Sequence, residues 1–162
     1  MEGLRIAASV CSFVSLLLLI IALASDYWVV DSAGGYTGLW RACARSICLS
    51  YGMNVQDYFH ATRAFLLMGM FAGAASFSGL CASFYRSRVQ SISTTRLAVT
   101  ATVIAGVCTL IAMSVFTGVY NDRYSDLAAS FGWSFGLGWA SFPLFLITSG
   151  LAFFIVPSTT EA

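Results

Sequence analysis

Apolar and polar positions along this chain are sorted into long blocks rather than short periods. Four windows, Ile6–Ala24, Ala64–Tyr85, Leu97–Tyr120 and Phe135–Val156, run for 19, 22, 24 and 22 residues without one ionised side chain. Every Asp, Glu and Arg falls between or beyond them. A helix rises about 1.5 Å per residue. Each window therefore spans roughly 28–36 Å, which matches a hydrocarbon core about 30 Å thick. The pattern predicts four transmembrane helices. Helix is required because lipid offers no partner to an open backbone, and each unpaired group there costs several kcal/mol. A soluble bundle would need a charged outer face, and these windows have none.

The loops follow: a long one over 25–63, a short one over 86–96 and a medium one over 121–134. Together they describe one tetraspan domain covering residues 1–162. The run ending in Ala22-Leu23-Ala24 also has the outline of a cleaved secretory signal, although it is long for one. Within the long loop, Tyr36–Trp40 and Ile47–Tyr51 read as strands, and Tyr27–Val30 as a third candidate.

Composition agrees with this reading. The chain is 59% hydrophobic and 9% charged, where soluble domains are about a quarter charged. A net charge of +1 argues against nucleic acid as a partner. Eight Arg, no Lys and a single His leave little for acid–base or metal chemistry, so no cofactor, metal or catalytic residue is expected. "GWSFG" (Gly132–Gly136) matches G-x-S-x-G, but a loop is expected before Ser134 and no His follows it. A nucleophile elbow needs a preceding strand and a downstream His. A conduit through the bundle would normally keep ionisable groups inside the membrane, and the windows contain none.

Sidedness rests on arginine density. Arg86, Arg88 and Arg96 crowd the short loop, with Arg5 on the same side. Arg41, Arg45, Arg63 and Arg123 are spread over the two longer loops among five Asp. The positive-inside rule then puts both termini and the short loop in the cytoplasm and the long loop outside. Cys43 and Cys48 would meet an oxidising compartment there. Fully extended, their Cα atoms would lie roughly 17 Å apart, whereas a disulfide needs about 4.4–6.8 Å. A bridge therefore requires the chain to reverse across Ala44–Ile47, as in a β-hairpin. Cys11, Cys81 and Cys108 lie inside the helical windows and read as small buried hydrophobes.

Trp28, then Gly38-Leu39-Trp40, then Cys43 and Cys48, all behind a first membrane span, resemble the W…GLW…C…C signature. It marks the superfamily of peripheral myelin protein, epithelial membrane proteins, lens fibre membrane intrinsic protein and claudins. "SDYW", "HATRAFLLM", "FTGVY" and "FGWSFGLGW" extend the resemblance to nearly the whole chain. The four residues between the cysteines look most like the lens fibre and epithelial membrane branch, because claudins usually have more. "GWSFGLGWAS" is also similar to the natural killer cell granule protein. The resemblance implies a four-helix bundle capped outside by a small antiparallel β-sheet.

It also implies a role in organising membrane or cell–cell contacts. The partners would be the lipid bilayer, a second copy or related tetraspan proteins, and a facing membrane. The alternatives are a vesicle or granule tetraspan acting in trafficking and a claudin-like paracellular barrier or pore. Gly69, Gly73, Ser76 and Gly79 lie at helical spacing and suit close helix contact, within the bundle or between copies. Tyr27, Trp28, Tyr51, Tyr58, Tyr120, Tyr124 and Trp133 gather at the outer helix ends and are expected to form an interfacial belt, while Trp40 is expected to pack the sheet onto the bundle. Arg63 and Asp26 stand at the mouths of helices 2 and 1, where an ion pair between them is expected.

Overall fold

The computed structural model describes residues 2–86, 88–89, 92–126 and 128–156. The tail "PSTTEA", residues 157–162, lies outside the described residues. Four helices, α1 (Glu2–Ala24), α2 (Asp57–Ala82), α3 (Thr94–Tyr124) and α4 (Trp133–Ile155), form a bundle. Each is long and apolar enough to cross a membrane. Their outward side chains include Phe13, Leu17, Phe71, Val107, Leu146 and Phe153, all exposed. Such a surface suits lipid and not water.

Strands β1 (Val29–Asp31), β2 (Tyr36–Thr37), β3 (Arg41–Ala44), β4 (Ile47–Ser50) and β7 (Ala129–Phe131) build one antiparallel sheet in the order β4-β3-β2-β1-β7. It lies over the end of the bundle where α1 finishes and α2 begins. At the opposite end β5 (Arg88–Val89) and β6 (Ile92–Ser93) pair as a two-stranded ribbon between α2 and α3. The sequence reading carried neither β7 nor this ribbon. The expected strand over Tyr36–Trp40 is divided: β2 stops at Thr37, and Gly38 N–H donates to the Arg41 carbonyl at 2.9 Å, turning the chain before β3. Tyr27 and Trp28 lie ahead of β1, because Trp28 turns inward to become fully buried; it is therefore not part of the interfacial belt expected of it, its indole being drawn to the end of α1.

Helix α2 packs most extensively on α3, and α1 on α4. The α2–α3 contact is made by small residues. Gly69 faces Thr109 and Ala105, Gly79 faces Ala98 and Thr94, and the Ser76 and Thr102 hydroxyls bond each other across the seam. Gly73 instead meets the Phe145 ring of α4 and Leu16 of α1. The face suggested by Gly69, Gly73, Ser76 and Gly79 is thus occupied inside the bundle, leaving other surfaces for any second copy. On α3, Ala98, Thr102, Ala105, Thr109 and Ala112 are all buried at alternating spacings of four and three. Lipid gives helices no hydrophobic reason to associate, so close backbone approach and hydroxyl bonds must hold them. Several buried hydroxyls bond back one turn, as Thr109 does to the Ala105 carbonyl at 2.8 Å and Thr148 to Leu144 at 2.8 Å.

The helices overrun the charge-free windows at the sheet end. α2 opens at Asp57, ahead of Ala64, and α3 continues to Tyr124. The extra turns carry aromatic side chains under the sheet: Phe59 lies 4.6 Å from Tyr58 and 6.0 Å from Phe116 between ring centroids. Packing against protein replaces lipid as the reason for helix there.

A Cβ added at Gly79 would come 3.2 Å from the Ala98 Cβ and 3.4 Å from the Thr94 carbonyl, whereas nothing lies within 4 Å of one added at Gly118. Gly79→Val is expected to lower stability by about 1–3 kcal/mol through overpacking. Gly118→Val, with the same change in helix propensity, should shift it far less. Thermal midpoints of the two variants in one detergent check this.

Candidate functional site

The last four carbonyls of any helix lack intrahelical donors. At the end of α1 they sit where the membrane stops and water is scarce. Ser25 N–H reaches the Ile21 carbonyl at 2.9 Å. The Trp28 indole N–H donates to the Ala22 carbonyl at 2.7 Å, and the Trp40 indole N–H donates to the Leu23 carbonyl at 2.8 Å. Both tryptophans of the W…GLW pattern are therefore C-caps of the same helix. Each also anchors the sheet, because its backbone belongs to the segment that forms it.

Trp28 is the inner anchor. Its ring is fully buried and meets Phe116 of α3 at 4.9 Å and Phe135 of α4 at 5.9 Å, both edge to face. Its backbone N–H donates to the Thr37 carbonyl at 3.0 Å, and its backbone carbonyl accepts from Gly132 N–H at 2.8 Å. One residue thus ties α1, α3 and α4 to both long connections. Phe131 and Phe135 stack beside it at 4.0 Å.

Gly38-Leu39-Trp40 is the outer anchor. A Cβ on Gly38 would overlap the Asp26 Cα and lie 2.9 Å from the Ser25 carbonyl, so only glycine lets the two backbones touch. Leu39 is fully buried. Its carbonyl accepts from Arg63 Nε at 2.9 Å and from a second guanidinium nitrogen. The same guanidinium lies 4.7 Å from the centre of the Trp40 ring. Arg63 is only 6% exposed, and a buried charge must be hydrogen-bonded or paired. A backbone carbonyl and an aromatic face serve that need here.

The ion pair expected between Asp26 and Arg63 does not form. Asp26 pairs with Arg41 instead. The turn at Gly38 brings β3 back over Ser25–Asp26, which places Arg41 closer than Arg63. Arg63 is taken by a carbonyl that residue-type reasoning could not see. Gly132 was missed too: a Cβ there would meet the Tyr27 carbonyl carbon at 2.8 Å, and its only sequence signal is its place just before α4.

Cys43 and Cys48 are joined by a disulfide between directly opposed residues of β3 and β4, with Cα atoms 4.1 Å apart. That is close to the spacing of a non-hydrogen-bonded antiparallel pair, about 4.5 Å. Arg45 and Ser46 at the tip have φ of +46° and +65°. A two-residue hairpin of this kind prefers Asn-Gly, and left-handed conformation costs other residues about 1–2 kcal/mol each. Closing so short a loop gains about 2 kcal/mol on the chain-entropy estimate, which offsets much of that cost. The Tyr36 ring of β2 stacks on that of Tyr27, just ahead of β1, at 4.3 Å. Loss of hydration, then the neighbouring Tyr36, push the Tyr27 phenol above its ordinary range.

The G-x-S-x-G match lies at the start of α4. Contrary to the expected loop, strand β7 precedes it. Ser134 is fully buried, so no substrate can reach its hydroxyl in this arrangement. His60 is engaged elsewhere, with its Nε2 3.0 Å from the Met53 carbonyl. Among the described residues no three His, Cys, Asp or Glu gather as a metal site.

Comparison with known proteins adds a lineage to this geometry. The profile described as PMP-22/EMP/MP20/Claudin family matches residues 2–152. Protein NKG7 of Homo sapiens is 29% identical over 157 residues, covering 94% of this chain and 91% of that protein. Lens fiber membrane intrinsic protein of Bos taurus is 30% identical over 145 residues, covering 81% and 79%. Epithelial membrane protein 1 of Oryctolagus cuniculus is 28% identical over 131 residues, covering 77% and 79%. Four spans and membrane-protein relatives make this an integral multi-pass membrane protein.

Trp28→Phe keeps an aromatic ring but leaves the Ala22 carbonyl without its donor. It is expected to cost about 1–3 kcal/mol, and Trp40→Phe a similar amount at the Leu23 carbonyl. Gly38→Ala should be worse than either, because its clash is with backbone. Folded yield and thermal midpoint of the purified variants measure all three.

Proposed function

Because the chain belongs to the PMP-22/EMP/MP20/Claudin family, we propose that it is a non-enzymatic protein organising membrane or cell–cell contacts by lateral and facing association. The observation that carries this reading is the free edge of the sheet. β4 ends the strand order. Its Leu49 and Ile47 pair toward β3, as does Tyr51, whose N–H reaches the Trp40 carbonyl at 2.7 Å. The alternation of an antiparallel ladder then turns the backbone groups of Cys48 and Ser50 outward. Such an edge is a template for another strand, and the capped helix end and the disulfide hold it stiff. A second copy, or a related tetraspan protein, supplies that strand laterally.

In this reading both termini and the arginine turn are cytoplasmic, and the sheet stands outside at the plasma membrane or at cell contacts. The grouping of Arg5, Arg86, Arg88 and Arg96 at the end away from the sheet supports it. So does the disulfide at the sheet end, which suits an oxidising compartment. The outer face of the sheet then meets a facing membrane.

Proline is tolerated on an edge strand where its nitrogen faces outward. Ser50→Pro therefore removes the outward donor while leaving the β3–β4 ladder in place. In paired cells expressing a cytoplasmically tagged copy, wild type is expected to concentrate at contacts. Ser50→Pro should reach the surface but spread evenly, and Cys43→Ser should fail to arrive. Wild type held in internal vesicles would favour a trafficking role instead, and Ser50→Pro concentrating normally at contacts would remove the edge from the mechanism.

A further inference from the structure

We infer that the β3–β4 hairpin lies on the chain's own membrane, with Ile47 and Leu49 seated in the lipid headgroup–acyl boundary of the leaflet at the sheet end. The proposal goes beyond the contact-forming role, which uses the edge and the outer face of the sheet. It concerns the inner face.

Residues directly opposed in an antiparallel sheet project from the same face. The register lines up Phe131, Val29, Thr37, Ala42 and Leu49 in one row across all five strands. Phe131 and Val29 pack against the core of the bundle, so this row faces the bundle and the membrane below it. A second observation agrees. Trp40 opposes Tyr51 through the 2.7 Å bond from Tyr51 N–H, and side chains alternate along a strand. Trp40, Ala42 and Ala44 therefore share a face with Tyr51, Leu49 and Ile47. Trp40 reaches the last turn of α1, and Tyr51 packs 5.6 Å from Phe59.

The inner face thus starts on protein at the last turn of α1 and the start of α2. Further along β4 it is open, with Leu49 69% exposed and Ile47 67% exposed. The opposing Ala42 and Ala44 are too small to shield them. No acid occurs between Asp31 and Asp57, while Arg41 and Arg45 lie in that stretch. Arg45 is at the hairpin tip and exposed. An apolar pair beside an unopposed arginine is the pattern of an interfacial element, in which aliphatic side chains enter the acyl boundary and a cation meets lipid phosphate. A facing membrane could not reach it, because the sheet itself intervenes.

The test is photolabelling in phosphatidylcholine nanodiscs loaded with one chain each, using a phosphatidylcholine that carries a diazirine near the head of its acyl chain. Label on the 47–49 stretch is expected to approach that on Phe71 of α2 and to exceed that on Val30 and Ser130 of the outer face. The double variant Ile47→Asp with Leu49→Asp should lose the hairpin label and keep the Phe71 label, which reports an intact bundle. Wild-type hairpin label no higher than that of Val30 and Ser130 would overturn the proposal. So would label present in one-chain discs but lost in two-chain discs, since a second copy would then be the occupant.

Discussion

A helix that ends at a membrane surface must find donors for its last carbonyls, and this chain finds two of them in the indoles of Trp28 and Trp40. Most of the architecture at that end follows from this need. Water could serve an exposed helix end, but the Ala22 and Leu23 carbonyls lie beneath a sheet and beside other helices. A side-chain donor has to come from above. The segments that supply it are thereby fixed in place, and they are the segments that form β1, β2 and β3. Leu39, buried between the anchors, offers its own carbonyl to Arg63. The arginine at the start of α2 is thus bound to the same cluster. One hydrogen-bonding constraint joins α1, α2 and the sheet.

The bundle is held on different terms. Lipid removes the hydrophobic drive that would associate helices in water. Small residues on α2 and α3 let the backbones approach, and the Thr102 hydroxyl both meets Ser76 across the seam and returns to the Ala98 carbonyl of its own helix. Large apolar side chains lie on both sides: Leu19, Leu66, Met113 and Phe145 fill the interior, and Phe71, Leu146 and Phe153 face outward. The outcome is a stiff support beneath a sheet whose far edge is open, closed at its tip by a disulfide that holds Arg45 and Ser46 in left-handed conformation.

Much of this was legible in the sequence, and the legible parts share a cause. Charge exclusion from hydrocarbon is a strong effect over some twenty residues, so four uncharged windows announce four spans. Two cysteines five positions apart can bridge only across a reversal, which announces a hairpin. The parts that were hidden depend on backbone atoms and on distant segments. Residue types at the mouths of α1 and α2 suggested Asp26 with Arg63. The turn at Gly38 gave Asp26 to Arg41, and the Leu39 carbonyl, which no residue type advertises, took Arg63. β7 is three residues long and has partners about a hundred positions away in β1, so no local periodicity marks it. The overrun of α2 and α3 beyond their windows reflects packing under the sheet rather than solubility in lipid.

The central claim is that the indole N–H groups of Trp28 and Trp40 are held by the end of α1. Hydrogen–deuterium exchange at the four indole nitrogens, followed by NMR on indole-labelled protein in nanodiscs, measures it directly. The account predicts that Trp28 and Trp40 exchange far more slowly than Trp133, which is 55% exposed at the start of α4. Exchange of Trp28 and Trp40 at the rate of Trp133 would contradict it, because neither indole could then be capping the helix that the sheet rests on.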